Sequence, residues 1–161
     1  MTRSRDIRQL LAVLDQAYNR QSWHGTNLRG SIRGLDAAIA ARRPGPARHN
    51  VWELVVHAAY WKYVAWRRMS GEKRGGFPLD GSNWFERPVA GHDTPAAWKQ
   101  DVKLLGAMHD QLVTAVARLP DRSLDRGAPG SSVTNFELIA GVAAHDLYHA
   151  GQIQLVKRMV S

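Results

Sequence analysis

The sequence predicts an all-α fold: a four-helix bundle with a broken first helical region and a long aromatic-containing loop between the second and third main helices. Three observations carry this. Apolar residues recur at three- and four-residue intervals over several long stretches; the composition is rich in Ala, Leu and Val with few β-branched runs; and start and stop residues bracket each periodic stretch. The chain of 161 residues is expected to form one domain, residues 1–161. A globule of this size buries roughly 70% of the surface its unfolded chain exposes.

The first helix is expected from Asp6 to Tyr18, where Ile7, Leu10, Leu11, Val13, Leu14 and Ala17 share a face. Trp23-His24-Gly25-Thr26-Asn27 interrupts it. Leu28, Ile32 and Leu35 resume the period, and Asp36 can cap a short turn through Arg42 before Pro44-Gly45-Pro46 stops it. Asn50, with Glu53 three residues on, starts a second main helix, Val51 to Met69, which is apolar on most sides and ends at Gly71.

Residues 71–93 hold five glycines and two prolines, so no helix is expected there. Phe77, Trp84 and Phe85 in this loop can seal the open end of the bundle, form a lid or pocket wall, or do both. Thr94-Pro95 then caps a third helix that runs on Trp98, Val102, Leu105, Met108, Leu112 and Val116 to Pro120. The last helix, Asn135 to Met159, opens on Thr134 and Glu137, a capping-box pair.

Composition narrows the chemistry. With no cysteine, disulfides and thiolate ligands are excluded, leaving histidine, carboxylates and water as donors for a metal. The Met1-Thr2-Arg3-Ser4-Arg5-Asp6 start leads into an amphipathic pattern, not a secretory segment, and no run reaches membrane-spanning length. A cytoplasmic protein with no membrane partner is expected. A net charge of +8 raises nucleic-acid binding, but the basic residues are scattered and Arg42-Arg43, Arg67-Arg68 and Lys73-Arg74 fall at helix ends, where cations suit the dipole. A nucleic-acid partner is therefore not expected.

Histidines carry the candidate chemistry. His145 and His149 are four residues apart on the last helix and project from one face, a chelating spacing that, taken alone, more often belongs to two partly buried, hydrogen-bonded imidazoles. His145-Asp146-Leu147-Tyr148-His149 differs from the zinc-protease helix motif in having the shorter Asp146 in place of its glutamate. No histidine or carboxylate follows Ala150, so a third ligand has to come from upstream. His57, flanked by Val56 and Ala58, is the best-placed candidate, although a neutral core histidine bonded to a carbonyl is the alternative. His92 and His109, the latter beside Asp110, are read as solvated. A three-histidine site leaves a position open for water or substrate, the arrangement of catalytic metals, and zinc, nickel and ferrous iron all accept imidazole.

Asn50-Val51-Trp52-Glu53-Leu54-Val55-Val56-His57, Gly81-Ser82-Asn83-Trp84-Phe85, the His145-to-Ile153 segment and Trp23-His24-Gly25 together give a chain that resembles the DinB/YfiT-like family of metal-dependent enzymes over nearly its whole length. The resemblance implies a four-helix bundle holding one divalent metal on His57, His145 and His149. It also implies a homodimer and S-transferase-like chemistry with a low-molecular-weight thiol as co-substrate, some relatives being known only as damage-inducible.

The expected function is thus a metal-dependent transferase or hydrolase that activates a thiol or water against a small electrophilic substrate. The alternatives are a non-catalytic, stress-related metal-binding scaffold and a DNA-associated protein. Glu53, one turn before His57, is either a cap or a catalytic proton acceptor. Trp61, Phe77, Trp84, Phe85, Asp146, Tyr148 and Gln152 are candidate pocket or supporting residues.

Overall fold

In the computed structural model, which describes residues 4–161, six α-helices form and no strand is present among the described residues. They are α1 (Arg5–Tyr18), α2 (Leu28–Ser31), α3 (Ala37–Ala41), α4 (Val51–Ser70), α5 (Pro95–Arg118) and α6 (Asn135–Val160). The Met1-Thr2-Arg3 start of the N-terminal pattern lies outside the described residues. No helix is long and apolar enough to cross a membrane among those described.

The four long helices, α1, α4, α5 and α6, make the all-α bundle. Helix α4 packs on α5 and α6, α1 packs on α6 and α5, and the short α2 and α3 lie on α6 and α4 respectively. Breaks in the first region have local causes. Ser22 and Gly25 pair across a tight turn, with Gly25 at φ 98°, a conformation glycine adopts at little cost. Asn27 and Asp36 cap the two short helices through bonds to the Gly30 and Ile39 amides.

Both capping boxes form. The Asn50 side chain accepts from the Glu53 amide while the Glu53 carboxylate accepts from the Asn50 amide, and Thr134 and Glu137 do the same for α6. Gly71, at φ 75°, closes α4 in the left-handed conformation. Helix α4 is buried on most of its circumference because three helices and the 71–93 loop surround it. Val51, Val55, Val56, Ala58 and Ala59 are fully enclosed, and each enclosed valine contributes roughly 1.5–3 kcal/mol relative to exposure.

One apolar cluster lies around Trp52, Val55, Leu105 and Ile153, and a second around Ile7, Leu14, Leu112 and Ile139. The loop is tied to the first: Asp101 accepts from Trp52 Nε1 at 2.7 Å and from Arg87 Nε at 2.8 Å. His109 corrects the sequence reading. It shares a face of α5 with Leu105 and Leu112, is buried, and stacks on Tyr18 at a ring separation of 3.8 Å. Its polar neighbour Asp110 points elsewhere because one helical step turns the side chain by about 100°. His92 is exposed as expected.

Candidate metal centre

The middle of α4 faces the middle of α6. His57 projects from α4, and His145 and His149 project from successive turns of α6. His57 and His149 are buried and His145 is half-buried. One nitrogen from each lies within 4.8 Å of the others. The His145 Nε2 is 3.2 Å from His57 Nε2 and 2.9 Å from His149 Nε2.

Hydrogen bonds behind the rings fix two tautomers. His57 Nδ1–H donates to the Asn83 carbonyl at 2.7 Å, and His149 Nδ1–H donates to Gln152 Oε1 at 2.6 Å. With their protons on Nδ1, both rings present a lone pair at Nε2. Only His145, whose Nδ1 is buried without a partner, could place a proton among the three converging nitrogens. At most one of the two short contacts can then be a hydrogen bond, so the cluster is electron-rich. Imidazole nitrogens bound at about 2.0–2.1 Å around zinc stand roughly 3–3.5 Å apart, and the donor set fits a divalent cation.

Electrostatics agree. Burial pushes the His57 pKa down to about 4, and the neighbouring His149 and His49 add to that against the opposing Asn83 bond. Burial, then His149 and His57, lower His145 to about 3. Burial also lowers His149 against the opposing Gln152 bond. Neutral imidazoles are the ligating form.

The triad forms the floor of a cleft of about 550 Å³, lined also by Arg48, His49, Leu54, Trp84, Tyr148, Gln152, Leu155 and Met159. Trp84 lies flat on His57 at a ring separation of 3.8 Å and on its other face carries His49 at 3.6 Å. The Asn83 backbone that receives His57 is itself left-handed, with φ 65°, a conformation asparagine tolerates better than most residues. The Asn83 side chain accepts from Trp61 Nε1 at 3.0 Å.

Residues 20–153 match the model of the DinB superfamily. The chain belongs to the DinB superfamily. No curated protein and no solved structure gives a significant match.

Within this DinB-family bundle the other candidate residues are dispersed. Trp84, Tyr148 and Gln152 line the cleft. Trp61 stands edge-on to His57 and His145, with each ring separation 6.3 Å. Phe77 and Phe85 are not in the lining. They pack with each other and with Tyr60, since the loop turns inward at Phe85 while Trp84 faces the histidines. In this loop, sealing and wall-forming fall to different residues.

Asp146 also departs from a pocket role. One step after His145, it points into the bundle and pairs with Lys62, with both side chains fully enclosed. Glu53 lies outside the cleft lining. Its carboxylate accepts from both terminal nitrogens of Arg43, from His49 Nδ1 at 2.9 Å, and from the Asn50 amide at 3.4 Å. Burial raises its pKa, but the Arg43 and His49 bonds outweigh this and hold it below the usual value. The capping reading accounts for its position.

Sequence alone does not single out Lys62 or His49. A lysine on an apolar helix reads as a surface residue, and its partner is 84 positions away. His49 did carry a signal, its i,i+4 spacing from Glu53.

Proposed function

We propose that this DinB-family protein is a metal-dependent enzyme that activates a low-molecular-weight thiol or a water molecule for transfer to, or hydrolysis of, a small electrophilic substrate. The single observation behind it is the convergence of three neutral Nε2 atoms on the floor of an open cleft. A divalent ion there, zinc, nickel or ferrous iron, would supply a Lewis acid that brings the pKa of water or a thiol towards about 7.

The chain's own residues do the rest. Asn83 and Gln152 hold the His57 and His149 rings in register through their Nδ1 protons. Trp84 restrains the His57 ring from one face. Leu54, Leu155, Val156 and Met159 give the cleft an apolar wall that excludes water around a bound substrate and favours its apolar part. A metal serving only to tie α4 to α6 would not need an open, lined cleft.

The test is elemental content after dialysis, then turnover. Wild-type protein is expected to retain about one divalent ion per chain, and His57→Ala, His145→Ala and His149→Ala to lose it. Zinc-, nickel- and iron-loaded protein is assayed with 2-mercaptoethanol plus 1-chloro-2,4-dinitrobenzene, and with 4-nitrophenyl acetate for the water reaction. Unchanged metal content in the three variants would sink the site. Equal turnover by apo and loaded protein would sink the enzymatic role.

A further inference from the structure

A proton shed by a thiol or water at this site needs an acceptor, and the triad cannot serve. The Nε2 atoms of the triad face one another, the Nδ1 protons of His57 and His149 are already donated to carbonyl oxygens, and His145 Nδ1 is buried away from the cleft's solvent. No aspartate or glutamate is among the residues lining the cleft. Arg48 has no lone pair to offer, and the phenol of Tyr148 is a poor base. The remaining group is His49.

His49 immediately precedes the N-cap of α4, and its ring is held in three ways. Its Nδ1–H donates to Glu53 Oε2 at 2.9 Å, one helical turn on. Its face lies on Trp84 with an interplanar angle of 5°, and the far face of Trp84 lies on His57 at 11°. The Glu53 side chain is only 4% exposed and is clamped by Arg43, whereas that of His49 is 44% exposed. No described residue hydrogen-bonds to His49 Nε2. A buried carboxylate on Nδ1 keeps the proton there and leaves the lone pair on Nε2.

We propose that His49 is the proton acceptor of this cleft, with Glu53 acting through it as a positioning residue. The assignment rests on the functional reading above and names the residue that completes it. The S–H bond of the thiol, or the O–H bond of water, breaks and its proton goes to His49 Nε2 through a solvent molecule of the cleft at the edge of Trp84, because the indole stands between His49 and His57. The freed electron pair forms the bond to the electrophilic carbon. The bond from that carbon to its leaving group breaks, the group departs with the pair, and His49 returns the proton to it or to solvent. No electron is gained or lost overall. The charged and titratable groups around the ring are Glu53 and Arg43 behind Nδ1, Arg48 at the rim, Tyr148 across the cleft, and His57 and His149, on both of which His49 acts as a like charge.

The experiment uses zinc-loaded protein with the same two probe reactions. His49→Gln is expected to keep its zinc and lose about 10²–10⁴-fold in kcat, with the acid limb of the kcat/KM profile flattened. His49→Gly is expected to regain turnover when imidazole is added. Glu53→Gln, checked for folding by circular dichroism, should lose less than His49→Gln. If it does not fold, the two His49 variants carry the test. A His49→Gln protein with full zinc and turnover within twofold of wild type overturns the proposal while the metal site stands. Loss of zinc from that variant overturns it too, by making His49 part of the metal centre. If loaded wild-type protein turns over neither probe, the functional reading fails, and nitrogen-15 shifts of the His49 ring decide its chemistry separately. The expected form carries its proton on Nδ1, and a proton on Nε2 overturns the assignment.

Discussion

Lys62 on α4 donates a hydrogen bond to Asp146 on α6, and neither side chain reaches solvent. Lys62 lies five positions after His57, and Asp146 directly follows His145, so the pair fixes the register of the two helices that carry the triad. Burial lowers the Lys62 pKa and raises that of Asp146, each opposed by the partner's charge. Breaking such a pair strands a buried charge, whereas replacing both partners removes the desolvation penalty with the attraction. Lys62→Met and Asp146→Leu are each expected to cost about 3–5 kcal/mol, and the double variant far less than their sum. Urea unfolding of the four proteins in chelator decides this; additive losses would show that the pair is not coupled.

Gln152 offers a gentler perturbation, because its side chain, in the cleft lining, bonds the back of a ligand ring and supplies no ligand nitrogen itself. His149 Nδ1–H donates to its Oε1 at 2.6 Å, which sets both the tautomer and the ring orientation. Removing such a supporting acceptor lowers metal affinity by about 10–100-fold. Gln152→Leu is expected to show that loss in competition with a chromogenic chelator, and Gln152→Glu to retain near wild-type affinity. Equal affinities in all three proteins would mean that Gln152 does not orient the ligand.

The elements that announced themselves in the sequence are those whose signals are local. Thr134 and Glu137 lie within one turn, as do Asn50 and Glu53, and both caps form where the pattern placed them. The triad was legible because two of its members share a helix and nothing after Ala150 could complete them. What stayed hidden depends on long-range neighbours. The His49–Trp84 stack joins a helix start to a loop, and Lys62 reads as a surface residue until Asp146 arrives from the other end of the chain. Phe85 and Trp84 are adjacent, yet one enters the core and the other faces the site. His109 differs for another reason: its neighbour Asp110 suggests solvent, whereas the face it shares with Leu105 and Leu112 is what places it in the core.

His109 contributes, beside the triad histidines, to an acid limit on stability. Burial, then the charges of Lys62 and Arg29, lower its pKa to about 3, against roughly 6.5 for an unperturbed histidine. Between those values the unfolded chain takes up a proton that the folded chain refuses, so the contribution of His109 to stability is full above about pH 6.5 and falls as pH drops towards 3. One such group contributes a slope of about 1.4 kcal/mol per pH unit within that window. His109→Phe, which keeps a ring against Tyr18, is expected to remove about one proton from the unfolding linkage. Chelator-treated wild type and variant, unfolded in urea at several pH values, should give curves that diverge on acidification. Parallel curves would mean that His109 titrates normally.

Metal addition separates a ligand triad from three ordinary core histidines. An ion that binds only the folded state at a free concentration 100 times its Kd stabilises that state by about 2.7 kcal/mol. For a domain of this size that corresponds to a rise in Tm of roughly 5–11 °C. His145→Ala is expected to abolish the rise. In the absence of metal the same substitution should change stability by no more than about 1 kcal/mol, since His145 is half-buried and at most one hydrogen bond joins its Nε2 to the other two rings. Core histidines held by mutual hydrogen bonds would behave in the opposite way, with no metal response and a loss in the apo protein on truncation. Thermal melts of wild type and His145→Ala, each with chelator and with zinc, distinguish the two because the effect of the substitution then falls on different arms.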